Sequence, residues 1–280
     1  AAQLMQKFPL HRYRRSAPYM AALRVVKTEP EIQLISAAAA ITGKAFRRVL
    51  GFVRPGMKEY EAEAEIIHSF ISNRASGHAY PPIVASGRNA CVLHYADNSA
   101  ECRDGEVLLM DFGAEYANYA SDVTRCVPVS GRFTQRQKDV YNAVLRVMNK
   151  ATDMMVPGNT FSAYNKEVGK IMEQELIGLG LLNHADIRAQ DEKKPLYKKY
   201  FMHGISHYLG MDVHDTGSRH EPMKAGMVLT CEPGIYIPEE NLGIRLENDI
   251  LITQDGPVNL TADIPVEAEE IEALMAGGRK

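Results

Sequence analysis

Apolar residues recur at spacings of three and four along four long segments of this chain. That spacing places them on one face of a helix and leaves polar residues on the other. Thr28 stands just before the first of these segments and Thr134 begins the third, where each hydroxyl can cap the first backbone N–H groups. The pattern therefore predicts four amphipathic helices, over residues 29–50, 58–71, 134–155 and 160–180.

The four helical segments form two pairs, which indicates an internal repeat. A turn with proline and glycine separates the helices of each pair, Arg54-Pro55-Gly56 in the first and Val156-Pro157-Gly158 in the second. We predict two pseudo-symmetric helix-helix-strand halves, although helix–turn–helix is common enough to recur without a duplication. No linker rich in glycine, serine or proline divides the chain, which favours one domain.

Strand-like runs rich in β-branched and aromatic residues follow each helical pair. Ala117 and Asn118 lie between two of these runs and indicate a hairpin turn. Residues 185–200 are polar and predict a solvated loop or a short helix. The predicted strands cover 82–86, 106–116 and 119–129 in the first half, and 227–237 and 243–253 in the second.

Composition and charge are those of an ordinary globular protein. Of the 280 residues, 45% are hydrophobic and 24% are charged, and the net charge of −3 gives no electrostatic case for nucleic acid or a membrane surface. No stretch approaches the ~18 apolar residues that span a bilayer. The cysteines lack C-x-x-C spacing, which favours free thiols in a reducing compartment and predicts a cytoplasmic protein. They are Cys91, Cys102, Cys126 and Cys231.

The beginning of the chain differs in composition from the rest. Residues 11–15 (HRYRR) are basic and the first twenty residues hold no acid, as in a transit peptide, but no apolar segment of a secretory signal follows. We expect residues 1–24 to be an N-terminal extension and residues 25–280 to form the folded domain.

Four carboxylates and one imidazole in three short segments indicate a dinuclear metal site. Together they carry a formal charge of −4, which could not be clustered in a core without cations. Two divalent ions would neutralise that charge and activate water for hydrolysis. Taken singly, each residue also has a simpler explanation. An acid could belong to a turn, a helix cap or a surface ion pair, and the histidine could be a hydrogen-bonded core residue. The residues are Asp111, Asp122, His207, Glu232 and Glu247.

Three histidines, His203, His207 and His214, lie within twelve residues of one another. The spacing of the first two matches that of H-E-x-x-H zinc proteases, but Gly204 replaces the glutamate that serves as their general base. We predict one histidine as a ligand and the others as outer or proton-handling groups. Arg245 could orient a ligating carboxylate or hold substrate. A nucleophile elbow, a P-loop and a dinucleotide fingerprint are absent.

These segments resemble the pita-bread metallopeptidase family (M24), which includes methionine aminopeptidase, prolidase and aminopeptidase P. The resemblance is closest to the catalytic domain of aminopeptidase P (Xaa-Pro aminopeptidase). It implies an α+β fold with two pseudo-symmetric halves around a curved antiparallel sheet. The motifs are CVLHYADN (91–98), DFGAEYANYASDVTR (111–125), FMHGISHYLGMDVHD (201–215), MVLTCEPGIYIP (227–238), GIRLENDILIT (243–253) and NLTADIPVEAEEIEALM (259–275).

The resemblance implies a role for each metal ligand. Asp111 would chelate one ion, Asp122 and Glu247 would bridge both, and His207 and Glu232 would each bind one. Manganese is the expected metal, with cobalt, zinc and iron left open by the ligands alone.

The same resemblance assigns His94, His203 and His214 to the substrate side, with Arg245 near the carboxylates. His94 would steady the developing oxyanion or move a proton, His214 would contact the scissile peptide, and Glu232 would relay a proton to the leaving nitrogen. The implied activity is removal of the first residue from peptides with proline in second position. No nucleic-acid or membrane partner is implied, and a homo-oligomer is allowed.

Three other functions stay open. Prolidase, which cuts Xaa-Pro dipeptides, shares every ligand. Methionine aminopeptidase fits the tail (259–275) and the segment NYASDVTR (118–125) less well. A non-catalytic peptide-binding module would normally have lost ligands. Full-length aminopeptidase P and prolidase carry an additional N-terminal domain, whereas about 25 residues precede the first helix of the resemblance here.

Overall fold

A computed structural model describes residues 1–191 and 193–278 of the chain. The helices match the predicted periodicity closely, and the four long ones begin and end within two residues of the predicted bounds. The eight described helices are α1 (Ala2–Lys7), α2 (Ala17–Arg24), α3 (Glu29–Leu50), α4 (Glu59–Ser72), α5 (Gln135–Asp153), α6 (Phe161–Gly178), α7 (His184–Ala189) and α8 (Ala268–Gly278).

The described strands pair only antiparallel, in three sheets of three strands and one of two. The sheet orders are β2-β3-β6, β1-β4-β5, β11-β10-β7 and β8-β9. The strands are β1 (Gly77–His78), β2 (Ile83–Ser86), β3 (Val107–Phe112), β4 (Ala114–Tyr116), β5 (Tyr119–Ala120), β6 (Val123–Pro128), β7 (Val228–Cys231), β8 (Gly234–Ile237), β9 (Leu242–Arg245), β10 (Asn248–Thr253) and β11 (Gly256–Asn259).

The predicted repeat appears in the two helix pairs, α3 with α4 and α5 with α6. Thr134 caps α5 by accepting from the Gln137 N–H while the Gln137 side chain returns to the Thr134 N–H, as the sequence predicted. The turn between the helices of each pair holds a glycine with positive φ, +85° at Gly56 and +90° at Gly158. Because only glycine adopts that conformation without strain, the Pro-Gly turns have the same physical basis in both halves.

The two halves meet where β6 lies beside the start of β10. The Glu247 N–H donates to the Thr124 carbonyl at 3.1 Å, and the Thr124 hydroxyl donates to the Glu247 carboxylate at 2.6 Å. Nearly all buried apolar side chains belong to one core between the helices and these strands. The site predicted from the sequence therefore lies on the concave junction between the halves.

Several elements were not predicted. The short helices α1 and α2 bury no residue, so no core-facing stripe marks them in the sequence. Helix α8 buries only Ala268, Ile271 and Met275, too few for a clear period. The predicted hairpin at Ala117 and Asn118 is confirmed: both residues have positive φ and join β4 to β5. The predicted polar stretch contains α7 and a 3-10 helix, Leu196–Lys199.

No described helix is both long and apolar enough to cross a membrane. Within the described residues all four cysteines are free thiols.

Candidate active site

One cavity of about 670 Å³ opens at the junction of the halves. All nine side chains that the sequence singled out line this cavity. Its polar floor is formed by carboxylates, histidines and an arginine, and its walls include Leu93, Tyr95 and Val213. The nine are His94, Asp111, Asp122, His203, His207, His214, Glu232, Arg245 and Glu247.

Two aspartates of the first half come together through a close backbone contact. Asp111 ends the buried run of β3, and Asp122 lies just before β6. Between them Gly113 crosses the Ser121 backbone so closely that a Cβ would lie 1.7 Å from the Ser121 carbonyl oxygen. The Tyr80 hydroxyl lies 2.6 Å from Asp111 Oδ1 and 2.5 Å from Asp122 Oδ1. One phenol therefore ties both carboxylates to a single position.

His207 presents one ring nitrogen to the carboxylates. Its Nδ1 lies 3.0 Å from the Tyr208 carbonyl, so Nδ1–H donates there and Nε2 faces the carboxylates, where on losing its proton it would offer a lone pair to a metal. Nε2 lies 3.4 Å from Asp122 Oδ2 and 3.9 Å from Glu232 Oε1. Single ligand atoms of Asp122, His207 and Glu247 all lie within 4.8 Å of one another.

The carboxylates repel one another in a buried setting. Burial, with neighbouring carboxylates adding to it, raises the pKa of Asp122, raises that of Glu232 to about 7, and raises that of Glu247 well above its ordinary value. Burial lowers the pKa of His207, but its hydrogen bond to Asp122 outweighs this and brings it to about 9.

This electrostatic imbalance is what a bound cation would relieve. Hard carboxylate oxygens with one imidazole suit several first-row divalent ions. Three of the five predicted ligands, Asp122, His207 and Glu247, already converge. Asp111 is linked to this group by the Tyr80 hydroxyl, which contacts both Asp111 and Asp122. Glu232 lies next to it, with its Oε1 3.9 Å from His207 Nε2. The residues present thus fit a divalent metal.

A chain of hydrogen bonds leads from the cavity to Asp111. The His203 Nδ1 lies 2.8 Å from the Gly204 carbonyl and its Nε2 lies 2.8 Å from the Tyr236 hydroxyl. Burial, assisted by the charge of Arg245, lowers the pKa of His203 to about 4. The ring is therefore neutral, so Nδ1–H donates to the carbonyl and Nε2 accepts from Tyr236.

Arg245 connects this series of hydrogen bonds to both halves of the site. Its Nη1 donates to the Tyr236 hydroxyl at 2.9 Å and its Nη2 donates to Asp111 Oδ2 at 2.6 Å. Its Nε donates to the Thr124 hydroxyl at 3.2 Å, which in turn donates to Glu247. Gly234 lies opposite Arg245 in the β8–β9 pair, and a Cβ there would lie 2.6 Å from the Tyr236 hydroxyl. The prediction that Arg245 orients a carboxylate agrees with these contacts.

His94 and His214 enter the cavity from loops and are largely exposed. His94 follows a 3-10 helix, Gly87–Cys91. The ring of His214 lies edge-on to that of His207, with centroids 4.3 Å apart. Both imidazoles are thus available to a molecule in the cavity.

Four residues in or beneath this arrangement were not found from the sequence. Tyr80, Thr124 and Tyr236 carry hydroxyls whose direction depends on the crossing of strands. Asp249 is fully buried, and its carboxylate accepts from the Asp122 N–H at 3.2–3.3 Å. An acid within the otherwise apolar run of β10 was the one signal that could have indicated it.

Comparison with known proteins gives consistent matches over most of the chain. Residues 33–254 match the sequence profile of metallopeptidase family M24. A Xaa-Pro aminopeptidase of Escherichia coli (strain K12) is 43% identical over 277 residues, covering 94% of this chain and 62% of that protein. A Xaa-Pro dipeptidase of Mus musculus is 34% identical, covering 93% of this chain and 62% of that protein.

A solved structure agrees with the sequence matches. Zinc-substituted E. coli aminopeptidase P in complex with product superposes with a TM-score of 0.89 at 41% identity, covering 95% of this chain and 62% of that one. The chain therefore spans 62% of the length of each of these three relatives.

Proposed function

This chain belongs to metallopeptidase family M24, and we propose that it is a metal-dependent aminopeptidase that removes the first residue from peptides with proline in second position. The observation that carries the proposal is that four carboxylates and one imidazole line one cavity of about 670 Å³, and that ligand atoms of three of these residues lie within 4.8 Å of one another. A cavity of that volume accommodates a short peptide end. The relative from E. coli that is named Xaa-Pro aminopeptidase supports the substrate class.

We propose that two divalent ions, manganese in the first instance, bind the five predicted ligands. By the family resemblance, Asp122 and Glu247 would be shared by the two ions; ligand atoms of these two residues and of His207 lie within 4.8 Å of one another. Asp111 would complete one ion and Glu232 the other. When bound, such ions supply Lewis acidity and lower the pKa of water.

The chain's own residues would position the peptide and handle its protons. His94 and His214 face the cavity and can donate to the oxygen of the scissile carbonyl as charge develops on it. Glu232 can accept a proton and pass it to the leaving nitrogen. Its carboxyl lies in the cavity, 3.9 Å from His207 Nε2. Arg245 and Tyr236 hold the neutral His203 ring in one orientation.

The site needs no hydrogen-bond acceptor for the nitrogen of a proline in second position, because a prolyl nitrogen carries no N–H. The apolar walls formed by Leu93, Tyr95 and Val213 suit a pyrrolidine ring.

Cleavage of Xaa-Pro dipeptides is the second candidate, and one residue favours it. A dipeptide's carboxylate must be held by a cation, and Arg219 lies on the cavity wall with its side chain exposed. The dipeptidase of Mus musculus among the relatives agrees with this reading.

We also keep as proposals the division into an extension (1–24) and a catalytic domain (25–280), assembly into a homo-oligomer, and a cytoplasmic location.

The test is hydrolysis of Arg-Pro-Pro, Ala-Pro and Met-Ala-Ser by the protein supplied with manganese. Cleavage of Arg-Pro-Pro supports the proposal, cleavage of Ala-Pro alone selects the dipeptidase, and cleavage of Met-Ala-Ser alone selects a methionine aminopeptidase. Asp122→Ala and Glu247→Ala should abolish turnover and lower the bound metal together. Full activity in either variant would contradict the bridging assignment, and metal binding without cleavage of any peptide would contradict the activity.

A further inference from the structure

A cluster of two cations and two acids lies beside the cavity, outside the proposed metal ligands; the side chains of Lys27 and Asp215 are buried, whereas the Arg24 side chain is 23% exposed and that of Asp212 is 67% exposed. Lys27 Nζ lies 3.1 Å from Asp215 Oδ2, and each of these side chains is only 1% exposed. Arg24 Nη2 lies 2.5 Å from Asp215 Oδ1 and 2.6 Å from Asp212 Oδ2. The cluster joins the end of α2 to a loop 188 residues further along the chain. Its formal charges cancel.

Backbone bonds fix both sides of this cluster. The Lys27 N–H donates to the Gly226 carbonyl at 2.7 Å, which ties the lysine to the segment before β7. The Asp215 N–H donates to the Tyr208 carbonyl at 2.8 Å, and Asp215 Oδ1 accepts from the Thr216 N–H at 2.9 Å. Asp215 is therefore held by its main chain and by both carboxylate oxygens.

Gly210 leaves the space that the Lys27–Asp215 pair occupies. A Cβ on Gly210 would lie 2.2 Å from Asp215 Oδ2 and 3.0 Å from Lys27 Cε. The Gly210 carbonyl accepts from the Ala120 N–H at 2.9 Å, so the loop is also tied to the hairpin strand β5. The loop between Gly210 and Asp215 is thus pinned at both ends.

The pinned loop carries a substrate-side histidine. His214 directly precedes Asp215, and its ring packs edge-on against His207. Val213, His214 and Asp215 all line the cavity. Movement of Asp215 would therefore move His214 relative to the floor of the site.

We propose that Lys27 and Arg24 are positioning residues, which hold Asp215 so that the loop of residues 210–215 presents His214 to the substrate. The inference deepens the proposed function, since it assigns a role toward the peptide to residues that do not touch the metal-binding group. A purely structural ion pair is the competing explanation. Removal of a purely structural ion pair would change the stability of the whole protein evenly, whereas removal of a positioning residue would loosen only the loop of residues 210–215.

Hydrogen exchange of the manganese-supplied protein separates these explanations. In Lys27→Met, backbone amides of residues 209–217 should exchange about tenfold faster or more, while those of 29–50 are unchanged. Arg24→Gln should give a smaller increase at the same amides, and because the Arg24 side chain is 23% exposed this variant avoids a buried cavity. Lys27→Arg should restore much of the protection. Arg48→Gln, which breaks the surface pair with Glu65, is the matched control.

Kinetics on an Xaa-Pro peptide supply the second readout. Misplacement of His214 should lower kcat/KM by about 10- to 100-fold in Lys27→Met, with the bound manganese unchanged. Unaltered exchange at 209–217 in both Lys27→Met and Arg24→Gln would overturn the proposal, as would an even increase across the protein. Exchange is measured without substrate, so a chain that cleaves no Xaa-Pro peptide would sink the proposed function and still leave the loop contact tested.

Discussion

Buried carboxylates in this protein fall into two kinds, which differ in the number of donors that reach them. Glu59 is fully buried and accepts four hydrogen bonds, so its charge is compensated locally. Glu247 is also buried, but the Thr124 hydroxyl is the one hydrogen bond to its carboxylate among the described residues. The Glu247 carboxylate, which lines the cavity, therefore keeps oxygen lone pairs that a cation could bind, whereas those of Glu59 are already used by donors of the protein. The donors to Glu59 are Ser86 N, Asn89 Nδ2, Tyr95 Oη and Ala100 N, at 2.7–3.0 Å.

Glu59→Gln is expected to destabilise the protein and loosen the segment that carries His94. In either orientation the amide would direct its N–H₂ group at a backbone N–H, that of Ser86 or that of Ala100, and leave this donor unpaired. We expect a loss of about 3 kcal/mol in the free energy of unfolding, measured by urea denaturation, together with lower kcat/KM.

Glu65→Gln is the control for this change, because Glu65 lies on the same helix as Glu59 and forms a partly exposed pair with Arg48 of α3. It should cost about 0.5 kcal/mol or less. Equal losses in the two variants would contradict the assigned role of Glu59.

At the scale of elements, the sequence predicted what depends on neighbours along the chain. Helices α3 to α6 bury a continuous apolar face, and this leaves a period of 3.6 in the sequence. Strand-to-strand geometry is not local. Tyr236 reaches Arg245 only because β8 pairs with β9 in the register that sets Gly234 opposite Arg245. The candidate metal ligands could be picked out because they are charged residues within apolar runs, but the hydroxyls that contact them could not.

Gly113→Ala should disturb the junction between β3 and β4 out of proportion to one methyl group. The new Cβ would lie 1.7 Å from the Ser121 carbonyl oxygen, a backbone atom that can move only with Asp122. We expect a loss of about 2–3 kcal/mol in stability and roughly tenfold or greater weakening of manganese binding. Thermal unfolding and isothermal titration calorimetry would measure the two effects.

Gly178→Ala offers a matched substitution at the end of α6, where no atom lies within 4 Å of the added Cβ. It should leave metal affinity unchanged and raise stability slightly, by up to about 1 kcal/mol. Normal manganese affinity in Gly113→Ala would show that Asp122 does not depend on this crossing.

At the scale of the whole molecule, the proposed metal ligands come from both halves. Asp111 and Asp122 belong to the first half, and Glu232 and Glu247 belong to the second. Repulsion among these acids acts across the junction and opposes the packing of one half on the other. Divalent ions bound between the halves would convert that repulsion into attraction, so metal binding and folding are coupled.

This coupling should depend on pH in a definite direction. Without cations, burial raises the pKa of Glu232 from 4.5 to about 7. The folded chain therefore retains a proton there that the unfolded chain has lost, and the resulting stability is lost as the pH rises through about 7. The raised pKa of His207, about 9, acts in the same direction. Metal binding needs these groups deprotonated, so it strengthens over the same interval.

The gap in Tm between manganese-supplied and chelated protein should accordingly widen from about pH 5.5 to about pH 8. Manganese at about 100 times its Kd adds about 2.7 kcal/mol, or roughly 5–10 °C in Tm for a chain of this size. Glu232→Gln removes one titrating acid, so the chelated variant should lose less stability as the pH rises. A gap that stays constant, or that narrows toward pH 8, would mean that repulsion among these acids does not oppose the packing of the two halves.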